Sequence, residues 1–162
     1  MIDRQIAHWK ITHDPVVTRN CFTRMPIGSG CDCSPCRNFN AAVSRSFPME
    51  FFELAEALGI DPRKPAELCH YNREPSGWYV THGWFHFVGS LIEIVGGQPF
   101  LDYRGAVHFS PLVSGVEIGV IARDHLADQA FEGFQLLQLE FSTRVPWVLD
   151  EPEPELEGPL PR

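Results

Sequence analysis

Three of the chain's five cysteines fall within six residues, in the run Gly30-Cys31-Asp32-Cys33-Ser34-Pro35-Cys36-Arg37-Asn38-Phe39. Thiols this close admit few arrangements: a shared metal ion, a disulfide with one thiol left over, or three unligated thiols at a turn. The residues that follow predict a helix start, with Ser34 as N-cap and Pro35 in the first helical position. Cys33 then flanks the positive end of that helix and Cys36 lies in its first turn, a setting that lowers thiol pKa and favours thiolate. Metal ligation and redox chemistry both use the thiolate.

Zinc is usually held by four ligands, with thiolates near 2.3 Å and imidazole nitrogens near 2.0–2.1 Å. Cys33 and Cys36 form a tight knuckle, and Cys31, on the extended segment before it, reaches the same ion from the other side. One local element thus supplies three ligands, and the fourth comes from His86, His82, Cys69, His70, Cys21 or His108. The expectation favours His86. It sits in the run His82-Gly83-Trp84-Phe85-His86-Phe87-Val88-Gly89, the first strongly β segment after the helices, and sequential elements tend to be neighbours. On a strand, His82, Trp84 and His86 point to one face and Phe85 and Phe87 to the other. For any single histidine here, the plainer alternative is a core imidazole bonded to backbone groups. Cys69-His70 reads as a buried small thiol and a surface imidazole at the end of a short helix, and Asp124-His125 receives no role.

A redox reading competes. Cys33-Ser34-Pro35-Cys36 has the Cys-x-Pro-Cys form of thioredoxin-like sites, with a helix following. Such a fold needs a βαβ unit around the motif, and the residues before Cys31 do not read as a buried strand. His-Glu-x-x-His, Gly-rich phosphate loops and Gly-x-Ser-x-Gly do not occur, so the sequence indicates neither zincin, P-loop nor serine-hydrolase chemistry.

The net charge of −8 argues against sequence-independent nucleic-acid binding and against docking on anionic lipid. From Asp150 onward, five acids face one base, so half of that charge lies in the last thirteen residues. No run reaches the roughly 18 apolar residues of a membrane span. Met1-Ile2-Asp3-Arg4-Gln5 has neither a basic nor an apolar leader region, which predicts a cytoplasmic protein, where clustered cysteines more often bind metal than form structural disulfides.

Along the chain, residues 1–29 read as irregular, with His8–Ile11 a short edge strand and Val16-Val17 an apolar patch. The spacing predicts helices over 37–46 and 49–58, the second capped by Gly59, and a third short helix over 62–69 after Asp61-Pro62. Trp78–Val95 is aromatic and β-branched, which predicts one long bent strand or two meeting at a bulge. Further strands are expected at 106–109, 116–121 and 134–145, with a short helix or loop over 124–131. The last strand puts Leu137, Leu139 and Phe141 on one face. The fold class is α+β: N-terminal helices on a mostly antiparallel sheet, with the cysteine turn at its edge. Residues 1–149 form one domain, and 150–162, acidic and proline-rich, are expected to be a disordered tail.

The chain resembles an uncharacterised family of bacterial proteins of similar length. That family pairs a Cys-x-Cys-x-x-Cys-x-Asn-Phe/Tyr segment with an aromatic-His-Phe-Val-Gly segment and an apolar Pro-Trp ending. Here these are Cys31–Phe39, Trp84–Gly89 and Val145–Val148. The resemblance implies a site containing the histidine of the aromatic segment, and no established activity. Cys31–Arg37 is also similar to the Cys-x-Cys-x-x-Cys-Arg string of the glutathione-dependent formaldehyde-activating family, whose upstream Cys-x-Cys-Gly half is absent here. Together these readings predict a cytoplasmic zinc domain with ligands Cys31, Cys33, Cys36 and His86. Its metal is mainly structural, and its partner is a protein or small molecule, with a homo-oligomer possible and neither nucleic acid nor membrane involved. The alternative is an enzyme, working through Cys33/Cys36 redox or thiol-adduct chemistry on zinc.

Overall fold

The computed structural model describes residues 1–154. Its spine is β4 (Trp78–Ile94), 17 residues long and therefore about 56 Å end to end at the usual strand rise. No single short strand can cover such an edge. Two share it: β2 (Trp9–His13) pairs with residues 89–94, and β3 (Glu67–Arg73) pairs with residues 79–84. The opposite edge pairs with β7 (Leu136–Pro146) from Trp78↔Pro146 to Val88↔Leu136. Beyond β2 lies β1 (Ile2–Ile6), and beyond β7 lie β6 (Val116–Ile121) and β5 (Ser110–Val113). All pairings are antiparallel, and with three helices they make the expected α+β architecture.

The pleat of β4 divides the molecule. Tyr79, Thr81, Gly83, Phe85 and Phe87 are all buried, on the face covered by α2 (Ser34–Ser46) and α3 (Met49–Leu58). Phe85 and Phe141 stack at 5.2 Å beneath Phe51 of α3 and Phe39 of α2, and Phe47 stacks on Phe51 at 3.9 Å. Gly83 is required where ladder and core meet: a Cβ there would lie 2.5 Å from the Glu67 carbonyl oxygen and 2.7 Å from the Phe141 ring. The other face carries His82, Trp84 and His86. Phe109 and Phe131 pack on it, each from a connection between strands.

Several local readings change. Residues 1–29 are not irregular: β1 and β2 form a hairpin, and α1 (Pro15–Arg24) follows. The Asp14 carboxylate accepts from the amides of Val16 and Val17, with Pro15 in the first turn, the same cap-then-proline device read at Ser34-Pro35. β2 is interior, since β1 takes the edge. The helix expected over 62–69 is replaced by a turn, in which Asp61 binds its own neighbour Arg63, and then by β3. The strand expected at 106–109 begins at Ser110 instead. Asp102 holds the preceding residues in a turn by accepting from the amides of Arg104 and Ala106. The helix over 49–58 ends as read, at Gly59 with φ +79°.

The domain boundary read near Leu149 lies beside a segment that returns to the body. Trp147 donates its indole N–H to the Glu151 carbonyl, Glu151 pairs with Arg37, and Glu153 accepts from Tyr79 and Arg73. Residues 155–162 of the expected tail lie outside the described residues.

Phe141 is fully buried and meets four other phenylalanine rings. Phe141→Ala is expected to lower unfolding free energy by about 3–5 kcal/mol, the usual cost of an emptied aromatic site. Urea denaturation checks this, and a loss below about 1 kcal/mol would show that the aromatic cluster is not the core.

Candidate metal centre

The helix after the cysteines starts one residue earlier than expected. Cys33 is the N-cap, its side chain making no capping hydrogen bond, and Pro35 stays in the first turn. Cys31 and Cys33 are therefore on the exposed approach to α2, whereas Cys36 is turned under it and is 4% exposed. The three sulfurs lie within 4.8 Å of one another, close enough to hold one metal ion. The cluster occupies the entry to α2 from the loop after α1. That loop is brought in by a backbone bond from the Gly28 amide to the Arg63 carbonyl, and Ser29 donates its hydroxyl to the Cys36 sulfur at 3.7 Å.

The thiols are not equivalent. Cys31 is held below its ordinary range, chiefly by the backbone amide of Cys33 and then by the Cys33 side chain. Burial pushes Cys36 up, against the expectation that the helix start would lower it. Loss of solvent around Cys36 outweighs the dipole of one helical turn. A buried thiol of this kind is the group that a cation between the sulfurs would deprotonate outright.

His70 stands nearest the thiols among the imidazoles that were candidates. Its Nε2 lies 3.9 Å from the Cys36 sulfur and its Nδ1 lies 3.3 Å from the Thr81 hydroxyl. Burial, the leading cause, holds its pKa below the ordinary 6.5, so near neutral pH the ring is uncharged and one nitrogen can act as a donor atom. The β3–β4 register explains the placement. His70 pairs with Thr81, whose side chain is fully buried on the helix face, while Cys69 pairs with His82 and shares the other face.

His86, expected as the fourth ligand, is not brought to the thiols. It has the parity of His82 and Trp84, so it points through the sheet, away from α2. There its Nε2 accepts from the Gln138 side-chain amide at 3.0 Å. The physical reason was present in the run itself. Phe85 and Phe87 supply the core under the helices, and the cysteine turn travels with the helices. A residue of the opposite parity cannot face it. The remaining candidates also lie elsewhere: Cys21 is buried in α1 beside Arg24, and His108 pairs with Asp102 at 3.0 Å. A helix over 62–69 would leave His70 at a helix end, whereas β3 places it in the sheet. Glu67-Leu68-Cys69-His70 carries no clear alternation to mark a strand, and only the strand pairing shows that His70 shares the parity of the buried Leu68.

Two further motif residues meet. Asn38 is 2% exposed, and its amide donates to the Pro146 carbonyl at 2.9 Å while its side-chain oxygen accepts from the Val148 amide at 2.7 Å. The asparagine after the third cysteine therefore grips the Pro-Trp ending of β7.

No protein-family model, no curated protein and no solved structure matches this chain, so of the resemblances only the metal-competent cysteine cluster itself stands. No described helix is long and apolar enough to cross a membrane.

Burial holds His86 down at about 4, below its ordinary 6.5. A depressed folded-state value means that the neutral ring stabilises the fold above pH 6.5 and that this contribution is lost as pH falls through 4. Acid unfolding between these values is expected to be shallower in His86→Gln than in wild type, with metal content unchanged. Melts across that range, with elemental analysis of both proteins, check it. Identical pH slopes, or metal lost from His86→Gln, would contradict the placement.

Proposed function

We propose that this protein is a zinc-stabilised binding domain in which Cys31, Cys33, Cys36 and His70 hold one ion that fastens the start of α2 to β3. The observation that carries the reading is the Cys36–His70 contact of 3.9 Å beside three mutually adjacent sulfurs. In a tetrahedral site with the usual zinc bond lengths, neighbouring sulfur and nitrogen ligands stand about 3.6 Å apart and neighbouring sulfurs about 3.8 Å apart. The donor set fits. His70 has its second nitrogen on the Thr81 hydroxyl, the kind of outer partner that fixes the tautomer and orientation of a ligating imidazole. Three thiolates and one neutral imidazole suit zinc better than calcium or magnesium, which take oxygen ligands.

Four protein ligands close the ion's coordination and leave no position for water, which favours a structural metal over a catalytic one. The role left to the domain is then binding, with a protein or small molecule as partner. Five cysteines without a disulfide among them fit a reducing compartment such as the cytoplasm. A thioredoxin-type role is less well supported, because a loop rather than a strand leads into Cys33 and every strand pairing is antiparallel. The reading with a specific observation in its favour is thiol chemistry on the metal, since Cys31 and Cys33 are exposed.

Protein purified without chelator under reducing conditions is expected to carry about one zinc per chain. His70→Ala is expected to lose most of that metal and His86→Ala to keep it, with chelation lowering the melting temperature of wild type. Less than about a tenth of an equivalent of any transition metal in wild type would end the metal reading. Full metal in His70→Ala would end the assignment of His70.

A further inference from the structure

The chain leaves β7 at Pro146 and runs back along the start of α2 and past His70, the neighbour of Cys36, instead of away from them. Its path is fixed at three levels. Asn38, in the same helical turn as Cys36, clamps the Pro146 carbonyl and the Val148 amide. Arg37, the residue directly after Cys36, donates to the Glu151 carboxylate at 2.6 Å and also to the carbonyl of Asp32, between Cys31 and Cys33. One guanidinium thereby ties this segment to the cysteine turn. Further along, Glu153 accepts from the Tyr79 hydroxyl at 2.7 Å and from Arg73 at 3.1 Å. Pro154, Trp147, Tyr79, Pro35, Asn38 and His70 then surround a small enclosed cavity, so the segment forms one wall of the space on which His70 opens.

We infer that residues 147–154 are an electrostatically latched strap that gates access to Cys36 and His70 while leaving Cys31 and Cys33 open. The clamp and the latch differ in kind, and the difference is what makes a gate. Asn38 is buried, and its two bonds to backbone belong to the fold. The carboxylates of Glu151 and Glu153 are 41% and 29% exposed and are paired with arginines that are themselves 41% and 50% exposed. Ion pairs at such exposure contribute little each and are weakened by salt. The strap therefore pivots at Val148, held at its root and loosely at its tip. The open state bares Arg37, directly after Cys36, and Arg73 and Tyr79 farther along, two cations and a phenol. This is the chemistry that receives a carboxylate, and in the closed state the chain's own glutamates occupy it. The inference does not require a metal: the same strap screens Cys36 whether that thiol is bound or free.

The test is site-resolved alkylation of the full-length protein as purified. A small neutral reagent such as iodoacetamide is used at one pH, labelling is read peptide by peptide, and the metal content of the same samples is recorded. In the double variant Glu151→Gln, Glu153→Gln, labelling of Cys36 is expected to rise about fivefold relative to that of Cys33, on the scale of two weak exposed ion pairs. Wild type in molar salt should move the same way, because the screening length there is only about 3 Å. Cys21, buried under α1 and far from the strap in sequence, reports general loosening and should stay slow. An unchanged Cys36-to-Cys33 ratio in the double variant would overturn the gate. So would a parallel rise at Cys21, which would mean that the glutamates serve global stability alone. Absence of metal from the samples would bear on the proposed function and leave this comparison intact.

Discussion

The ladder between β4 and β7 runs without a slip through eleven residue pairs, and every other placement in the molecule refers back to it. An uninterrupted antiparallel ladder fixes which side chains share a face, because a one-residue slip would exchange all of them. On one side it gathers Phe85, Phe141 and the buried threonines Thr81 and Thr143 under the helices. On the other it gathers His82, Trp84, His86, Gln138 and Glu140. Thr143 donates its hydroxyl to the carbonyl of Ser46 at the end of α2, and Thr81 meets His70. The ladder thus sets the position of α2 at one end and the orientation of the imidazole facing its other end. The cysteine cluster is at the edge of the sheet because α2 is pinned in this way, not because of any property of the thiols.

What could be read from the sequence divides along the range of the interactions concerned. The helix over 49–58 and its Gly59 cap, the alternating strand ending in Val145, and the cysteine turn are each decided by neighbours within one or two turns of chain. These were legible. α1 was also locally encoded, by Asp14-Pro15, but two flanking prolines and a pair of glycines masked it. The expected helix over 62–69 fails because the fate of these residues depends on a long-range partner: Glu67–Arg73 is a strand where half of β4's edge is otherwise uncovered. The choice between His70 and His86 depended on that same pairing. Strand parity could exclude His86, but only the β3–β4 register could bring His70 forward.

Burial acts on ionisable groups on the far face of β4 as it does on His70 and Cys36. Glu140, opposite Trp84, is pushed up to about 7 by burial, an effect that the charge of Arg123 only partly offsets, whereas His86 two residues along the partner strand is pushed down. Both shifts favour the uncharged form, as desolvation requires. Burial on that face therefore brings the titration of Glu140 into the neutral range and keeps the His86 ring uncharged there. The acidic character of the chain is instead concentrated at the surface and in the segment beyond β7, where Glu151 and Glu153 meet Arg37 and Arg73.

The position of that segment in the chain has a consequence for biosynthesis. Arg37 and Glu151 are 114 residues apart, so the thiols leave the ribosome long before their cover does. At ordinary elongation rates of about 5–20 residues per second, the interval is on the order of 6–20 s. During that time Cys31, Cys33 and Cys36 belong to a nascent chain without β7, the strand whose ladder with β4 sets α2 and the His70 ring in place. The three thiols are therefore open to their surroundings before Glu151 and Glu153 are in place. Order of synthesis thus gives these thiols an interval of exposure that the finished fold no longer offers to Cys36.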